Sequence, residues 1–235
     1  MTAPAIVLVP GPGGASEDFG FLAPMLSRHH DVVVAELGSA SDADELLDAV
    51  GRAVASAPGL PAVVGYAIGG VAAVGYAAEH PEDVSALVAI ASWWLPSPKL
   101  AAHVRLWRSL PDREQRAEAM RLARYSAAGW DSARQPSVTE AGLRLMELSA
   151  RIGTVNSAPR VTVPSLVIGC RDDELVGAGE SRLLFGAIPD ARYAELASGH
   201  AVLDERPAEV LQLIEAFLGR PERHPAGTLI SAEAL

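Results

Sequence analysis

Short apolar runs bounded by glycine and proline recur along the chain at Ala5–Val9, Val32–Glu36, Ala62–Tyr66, Ala86–Ile90, Ser165–Gly169 and Arg192–Leu196. They are near-continuous in Val, Ile, Leu and Ala and do not alternate, so they predict strands buried on both faces. Between most of them lie segments with helical spacing. Asp44–Ala57 places Leu46, Leu47, Val50 and Val54 on one side, with Ser41 or Asp42 as N-cap; Ile68–His80, Gly179–Ala187 and Pro207–Leu218 complete the set. The alternation predicts an α/β architecture with a mostly parallel sheet of about six strands flanked by helices.

The strand signal vanishes for about 70 residues between Ile90 and Ser165, where Pro96–Leu110, Asp112–Ala128 and Val138–Ile152 have helical spacing instead. A structureless loop of that length does not suit a compact domain, so the segment is expected to be an inserted helical cap. The predicted organisation is a core of residues 1–92 and 161–220, a cap or lid over 93–160, and a surface tail over 221–235. Composition marks the same cap. It contains all four tryptophans and 11 Lys or Arg against 6 Asp or Glu, about +5, which leaves about −15 for the rest of a chain whose net charge is −10.

At 235 residues, about half of them apolar, the chain is long enough for one large core. The lone Cys170 excludes an intrachain disulfide and a Cys-rich zinc site. Met1-Thr2-Ala3-Pro4 has no basic or long apolar leader, and no apolar run has the length of a membrane span, so a soluble cytoplasmic protein is expected. The net charge opposes non-specific binding to nucleic acid or to an anionic membrane.

The candidate chemistry begins at Gly65-Tyr66-Ala67-Ile68-Gly69-Gly70, between a predicted strand and an Ala-rich predicted helix. It has the form of a nucleophile elbow, G-x-S-x-G, with alanine where the hydroxyl belongs. Small residues two before and two after the catalytic position let strand and helix approach, and Gly65 and Gly69 supply them. Alone, the pattern is an ordinary strand-to-helix turn. Ser198-Gly199-His200 follows the run Arg192–Leu196, although a loop histidine by itself is more often structural. Gly169-Cys170-Arg171-Asp172-Asp173-Glu174-Leu175-Val176 puts carboxylates just after a strand, at the edge where α/β sheets collect ligands. A loop aspartate by itself is usually a turn former.

Taken together, these pieces run nucleophile position, acid, histidine, an order different from those of chymotrypsin and subtilisin. With Val7-Leu8-Val9-Pro10-Gly11-Pro12-Gly13-Gly14, Glu79-His80-Pro81-Glu82-Asp83-Val84 and Ile188-Pro189-Asp190-Ala191-Arg192-Tyr193, residues 4–219 resemble the α/β-hydrolase family, from what would be its third strand onward. The resemblance implies the α/β-hydrolase fold, with Ala67 at the nucleophile position, His200 as base and Asp173 as the acid that holds the imidazole. Asp173 is favoured over Asp172 because it stands four residues before Gly177, where the family often has D-x-x-x-P; Asp172 stays open.

Two departures from the family pattern matter. A methyl group cannot attack a carbonyl, so Ala67 removes covalent catalysis. Pro10 and Pro12 flank Gly11 in the segment similar to the HGxxG oxyanion loop, and proline has no amide hydrogen. If Pro12 holds the donor position, one donor is lost; if Gly11 holds it, the donor is kept. Gly11 is preferred, with the Ile68 amide as partner, because the chemistry uses a hole of two N–H groups.

Three origins of Ala67 stay open: a serine exchanged so that ligand binds without turnover, a natural chain that keeps His200 for acid–base work, and a binder that keeps only a pocket. The first is preferred, since an unneeded His, Asp and glycine frame would drift. The resemblance then implies a serine-hydrolase-type enzyme, or esterase, on an ester or acylated hydrophobic small molecule, in nucleophile-free form. The alternatives are His–Asp-dependent elimination, for instance of acetate, or cyclisation, and a non-catalytic binder.

Ala91-Ser92-Trp93-Trp94, Leu106-Trp107-Arg108-Ser109-Leu110 and Val167–Asp173 are similar to a subgroup from actinobacterial natural-product pathways, which implies a polyketide intermediate as the kind of substrate, with a carrier protein as a further partner. Trp93, Trp94, Trp107 and Tyr125 are the expected pocket residues, with His103 a weaker one. Arg105, Arg108, Arg113, Arg116, Arg121 and Arg124 are expected mostly on a solvated face, some of them meeting an anionic group. No P-loop, dinucleotide or zinc signature is present, so neither metal nor cofactor is implied. A monomer or homodimer is expected.

Overall fold

A computed structural model describes residues 4–38 and 40–230. The first three residues of the expected leader-free N-terminus and the last five of the expected tail lie outside the described residues. Seven strands form one sheet in the order β2-β1-β3-β4-β5-β6-β7, every neighbouring pair parallel. They are β1 (Ile6–Val9), β2 (Val32–Val34), β3 (Ala62–Tyr66), β4 (Ala86–Ile90), β5 (Ser165–Cys170), β6 (Ala191–Leu196) and β7 (Leu229–Ile230).

Every residue of β1, β3, β4 and β5 is buried, which is why their sequences do not alternate. The edge strand β2 is only half-buried and stops at Val34, two residues short of the apolar run. β7 was not expected. Two of its residues lie in the segment read as a surface tail, and they pair with Tyr193 and Ala194 of β6. Two residues are too few to leave a periodicity in sequence.

The helices of the core are α1 (Ala15–Asp18), α2 (Leu22–Leu26), α3 (Ala43–Ser56), α4 (Ile68–Glu79), α8 (Ala178–Ala187), α9 (Val202–Glu205) and α10 (Pro207–Gly219). In α3 the Asp42 side chain accepts from the Glu45 amide at 2.9 Å, and Leu46, Ala49, Val50, Ala53 and Val54 form the buried face. Burial of each such Leu or Val stabilises by roughly 1.5–3 kcal/mol. α4 is buried on all sides from Ile68 to Ala77, as its lack of polar positions requires.

Three further helices, α5 (Pro98–Ser109), α6 (Arg113–Arg124) and α7 (Glu140–Ser149), are inserted between β4 and β5. α5 begins at Ser97 and α6 at Asp112, whose side chains accept from the Leu100, Glu114 and Gln115 amides. Among the described residues no helix is long and apolar enough to cross a membrane.

The chain runs from β1 outward to β2, then returns across β1 to β3 and continues in the other direction. The loops after β1 and β3 therefore diverge at a switch point, where an open parallel sheet leaves a crevice at its carboxyl ends. The Pro10–Gly14 loop and Ala67 stand there.

Candidate active site

Ala67 links β3 to α4 with φ 52° and ψ −122°, a conformation that suits glycine and costs a residue with a Cβ roughly 1–3 kcal/mol. The turn is held from several sides. The Ala67 amide donates to Ile90 O at 2.9 Å, and the buried Ser92 hydroxyl lies 3.1 Å from Ala67 O. A Cβ on Gly65 would lie 2.4 Å from Gly69 O, and one on Gly69 would lie 2.2 Å from Val9 O. Only glycine lets α4 seat this closely on β1 and β3, which is the spacing noted in the sequence.

His200 stands on the loop after β6. His200 Nδ1 lies 2.8 Å from Asp173 Oδ2, and both side chains are buried. The other carboxylate oxygen, Oδ1, accepts from the Leu175 amide at 2.8 Å and the Val176 amide at 2.9 Å. Burial pushes the Asp173 carboxyl up, but the His200 charge and hydrogen bond, with the Val176 and Leu175 amides, reverse this and leave it lowered. An ionised carboxylate only accepts, so Nδ1 carries the proton and Nε2, with no partner among the described residues, is the basic nitrogen. Asp172 is exposed and meets Ser198 O through its amide alone, so burial separates the two adjacent aspartates. The Tyr66 hydroxyl, one residue before Ala67, donates to His200 O at 2.9 Å and ties the two halves together.

Ala67, Tyr66 and His200 line one narrow cavity of about 40 Å³ with Pro12, Gly13, Trp93, Trp107 and Arg124. The cap supplies its far wall through Leu100, Met146 and Ser149. A more open groove lined by Glu36, Arg52 and Thr139 contains neither Ala67 nor His200. Of the expected pocket residues, Trp93 and Trp107 are in this lining, whereas Trp94 and Tyr125 are not. The Tyr125 hydroxyl is instead bonded to Asp204 of α9, and His103 stacks behind Trp107 with ring centroids 5.8 Å apart.

The expected oxyanion donors divide. Ile68 is the first residue of α4, where an N–H has no acceptor in a preceding helical turn. Gly11 is not in the lining; its amide is turned toward the Asp18 carboxylate without closing a well-formed hydrogen bond. The loop presents Pro12 to the cavity, and Pro12 has no N–H to give.

Glu17, Asp18 and Glu205 were not legible in the sequence, and Arg124 was expected elsewhere. Arg124, expected with its neighbours on a solvated face, is 9% exposed. It reaches from α6 to Glu17 at 2.8 Å, with Asp18 at 3.8 Å. Asp18 is buried with neither carboxylate oxygen hydrogen-bonded, and burial raises it to about 6. Glu205 accepts from the amides of Ser126 at 2.8 Å and Gly199 at 3.1 Å, so it clamps the cap to the histidine loop. Nothing local in sequence marks them: each acts across long chain separations. A helical wheel of α6 does contain a hint, since Arg124 falls near the buried Ala117, Met120 and Ala123. The one His–acid cluster with metal-like spacing among the described residues, His80, Glu82 and Asp83, lies in the turn before β4, outside the cavity lining.

The model of the alpha/beta hydrolase family matches residues 6–213. A pyrrolizixenacetamide deacetylase from Xenorhabdus hominickii is 29% identical over 242 residues, covering 92% of this chain and 91% of that protein. A putative carbamate hydrolase RutD from Klebsiella pneumoniae strain 342 is 30% identical over 190 residues, 71% of this chain and 68% of its own. Among solved structures, the enol-lactonase from Burkholderia xenovorans LB400 superposes with a TM-score of 0.78 at 19% identity, covering 94% of this chain and 93% of that one. At that identity the likeness speaks for the fold.

Proposed function

The chain belongs to the alpha/beta hydrolase family, and from that premise we propose that it is an acyl-substrate enzyme of serine-hydrolase type in nucleophile-free form, taking an ester or acylated hydrophobic small molecule. The observation that carries this reading is Ala67 itself. It keeps the strained φ of 52° on the cavity that also holds the His200–Asp173 pair, although it has no hydroxyl to present. Similarity to a deacetylase and a carbamate hydrolase supports an acyl group as the part acted upon.

With serine at position 67, its hydroxyl attacks the acyl carbon while His200 Nε2 takes the proton and Asp173 stabilises the imidazolium, which then returns the proton to the leaving group as it departs from the acyl carbon. Water activated by the same ring then releases the acid. With alanine, the chain binds substrate and forms no acyl-enzyme. Ala67→Ser is expected to create hydrolysis of a short-chain 4-nitrophenyl ester and labelling by a fluorophosphonate, both lost again on His200→Ala. Absence of both from a folded Ala67→Ser protein refutes the reading.

A second reading has its own support in Pro12. Pro12 has no N–H to steady a tetrahedral oxyanion, while a His–Asp pair with no serine beside it remains a competent base for elimination or cyclisation of an acylated, polyketide-like molecule. It requires turnover by the chain as it stands and loss of that turnover on His200→Ala.

A further inference from the structure

The cavity has a polarity of its own. Its lining contains polar side chains whose hydrogen bonds are already committed to carbonyls: Tyr66 to His200 O, Trp93 Nε1 to Ile152 O at 2.8 Å, and Ser149 to Leu145 O at 2.8 Å. Two others are not. Trp107 is 2% exposed and its Nε1–H is buried with no acceptor among the described residues. Arg124 presents five N–H bonds, of which one is used, from Nη1 to Glu17; the Asp18 oxygen at 3.8 Å is beyond hydrogen-bond distance. Buried donors in folded proteins are nearly always satisfied, which Trp107 Nε1 is not, and a largely desolvated guanidinium with N–H groups to spare is a strong, planar, bidentate partner for an oxyanion. Of the titratable side chains of the lining, Tyr66 is committed to His200 O and His200 Nε2 is a free acceptor, so Arg124, with Trp107 beside it in the lining, supplies the free donors.

We propose that Arg124 and Trp107 form a donor pair that fixes an oxyanion, a carboxylate or an enolate, of an otherwise apolar substrate beside Ala67 and His200. The pair rests on the reading of this cavity as the substrate site, and it adds the substrate's charge. Glu17 keeps the guanidinium facing inward from its outer side, while Trp93, Leu100 and Met146 take the apolar remainder. Both donors come from the cap, Trp107 from α5 and Arg124 from the last turn of α6, so the cap sets which molecules are held and the core holds the acid–base pair.

The test compares binding of phenylacetate and its neutral methyl ester to the Ala67 protein by calorimetry. Phenylacetate is expected to bind about tenfold more tightly. Arg124→Gln brings the ratio to about one by weakening chiefly the anion, Arg124→Lys restores part of it, and Trp107→Phe weakens the anion about threefold more than the ester. Equal binding of acid and ester, or equal weakening of both in Arg124→Gln and Trp107→Phe, overturns the proposal. Where Arg124→Gln does not fold, Arg124→Lys and Trp107→Phe decide it by the same criterion. Esterolysis by Ala67→Ser is read on a neutral ester, so that activity with no anion preference discards the donor pair alone, and anion preference without activity discards the hydrolase reading alone.

Discussion

Asp18 is where one side chain most opposes the fold. Burial raises its carboxyl from 3.8 to about 6, Arg124 draws it down, Glu17 pushes it up, and the Gly11 amide and His200 draw it down. Because the folded value lies above the unfolded one, the folded chain retains a proton between these values that the unfolded chain has lost. Stability therefore falls as pH rises through that window, and the penalty is fully present above it. Two pH units correspond to about 3 kcal/mol. Asp18→Asn is expected to unfold in urea with a free energy about 2–3 kcal/mol higher at pH 7.5, the gain shrinking toward pH 4; an equal gain at both pH values assigns it to packing. Sequence contained little of this. Asp172 and Asp173 are chemically identical, and only the fold buries one against His200. Gly65 and Gly69 were legible because their lack of a side chain is itself the requirement.

Among elements, long strands and helices declared themselves through their apolar spacing, and β3 and β4 agree with the expected bounds residue for residue. α1, α2, α9 and β7 are five residues or fewer, too short for a period to develop, and tertiary contacts hold them. β7 covers the outer edge of β6, and Arg192 of β6, 4% exposed, donates to His224 O at 2.7 Å in the segment leading to it. Truncation after Arg220 removes both. The unpaired edge of β6 is then a template for another chain, and light scattering is expected to show concentration-dependent association with a melting temperature several degrees lower. A truncated chain that stays monomeric with unchanged melting denies β7 this protective role.

At the scale of the whole molecule, a cap of about +5 sits on a body of about −15. Exposed arginines such as Arg105 and Arg113 attract an anion toward the cap, and salt screens that attraction. Raising ionic strength from about 0.02 to about 0.3 M is expected to weaken phenylacetate binding about two- to threefold in calorimetry and to leave the methyl ester unchanged; parallel loss for both excludes a role for the field.

By itself the sequence determined the parallel α/β sheet, the inserted cap and the order of nucleophile position, acid and histidine. These depend on local spacing and on which residue types stand after which strands. Only the tertiary structure decided that Asp173 and not Asp172 meets His200, that Pro12 rather than Gly11 faces the cavity, and that Arg124 leaves the solvated face of its helix for the interior. Those outcomes depend on desolvation and on contacts between residues far apart in the chain; local spacing pointed toward Asp173 and hinted at Arg124 but decided neither.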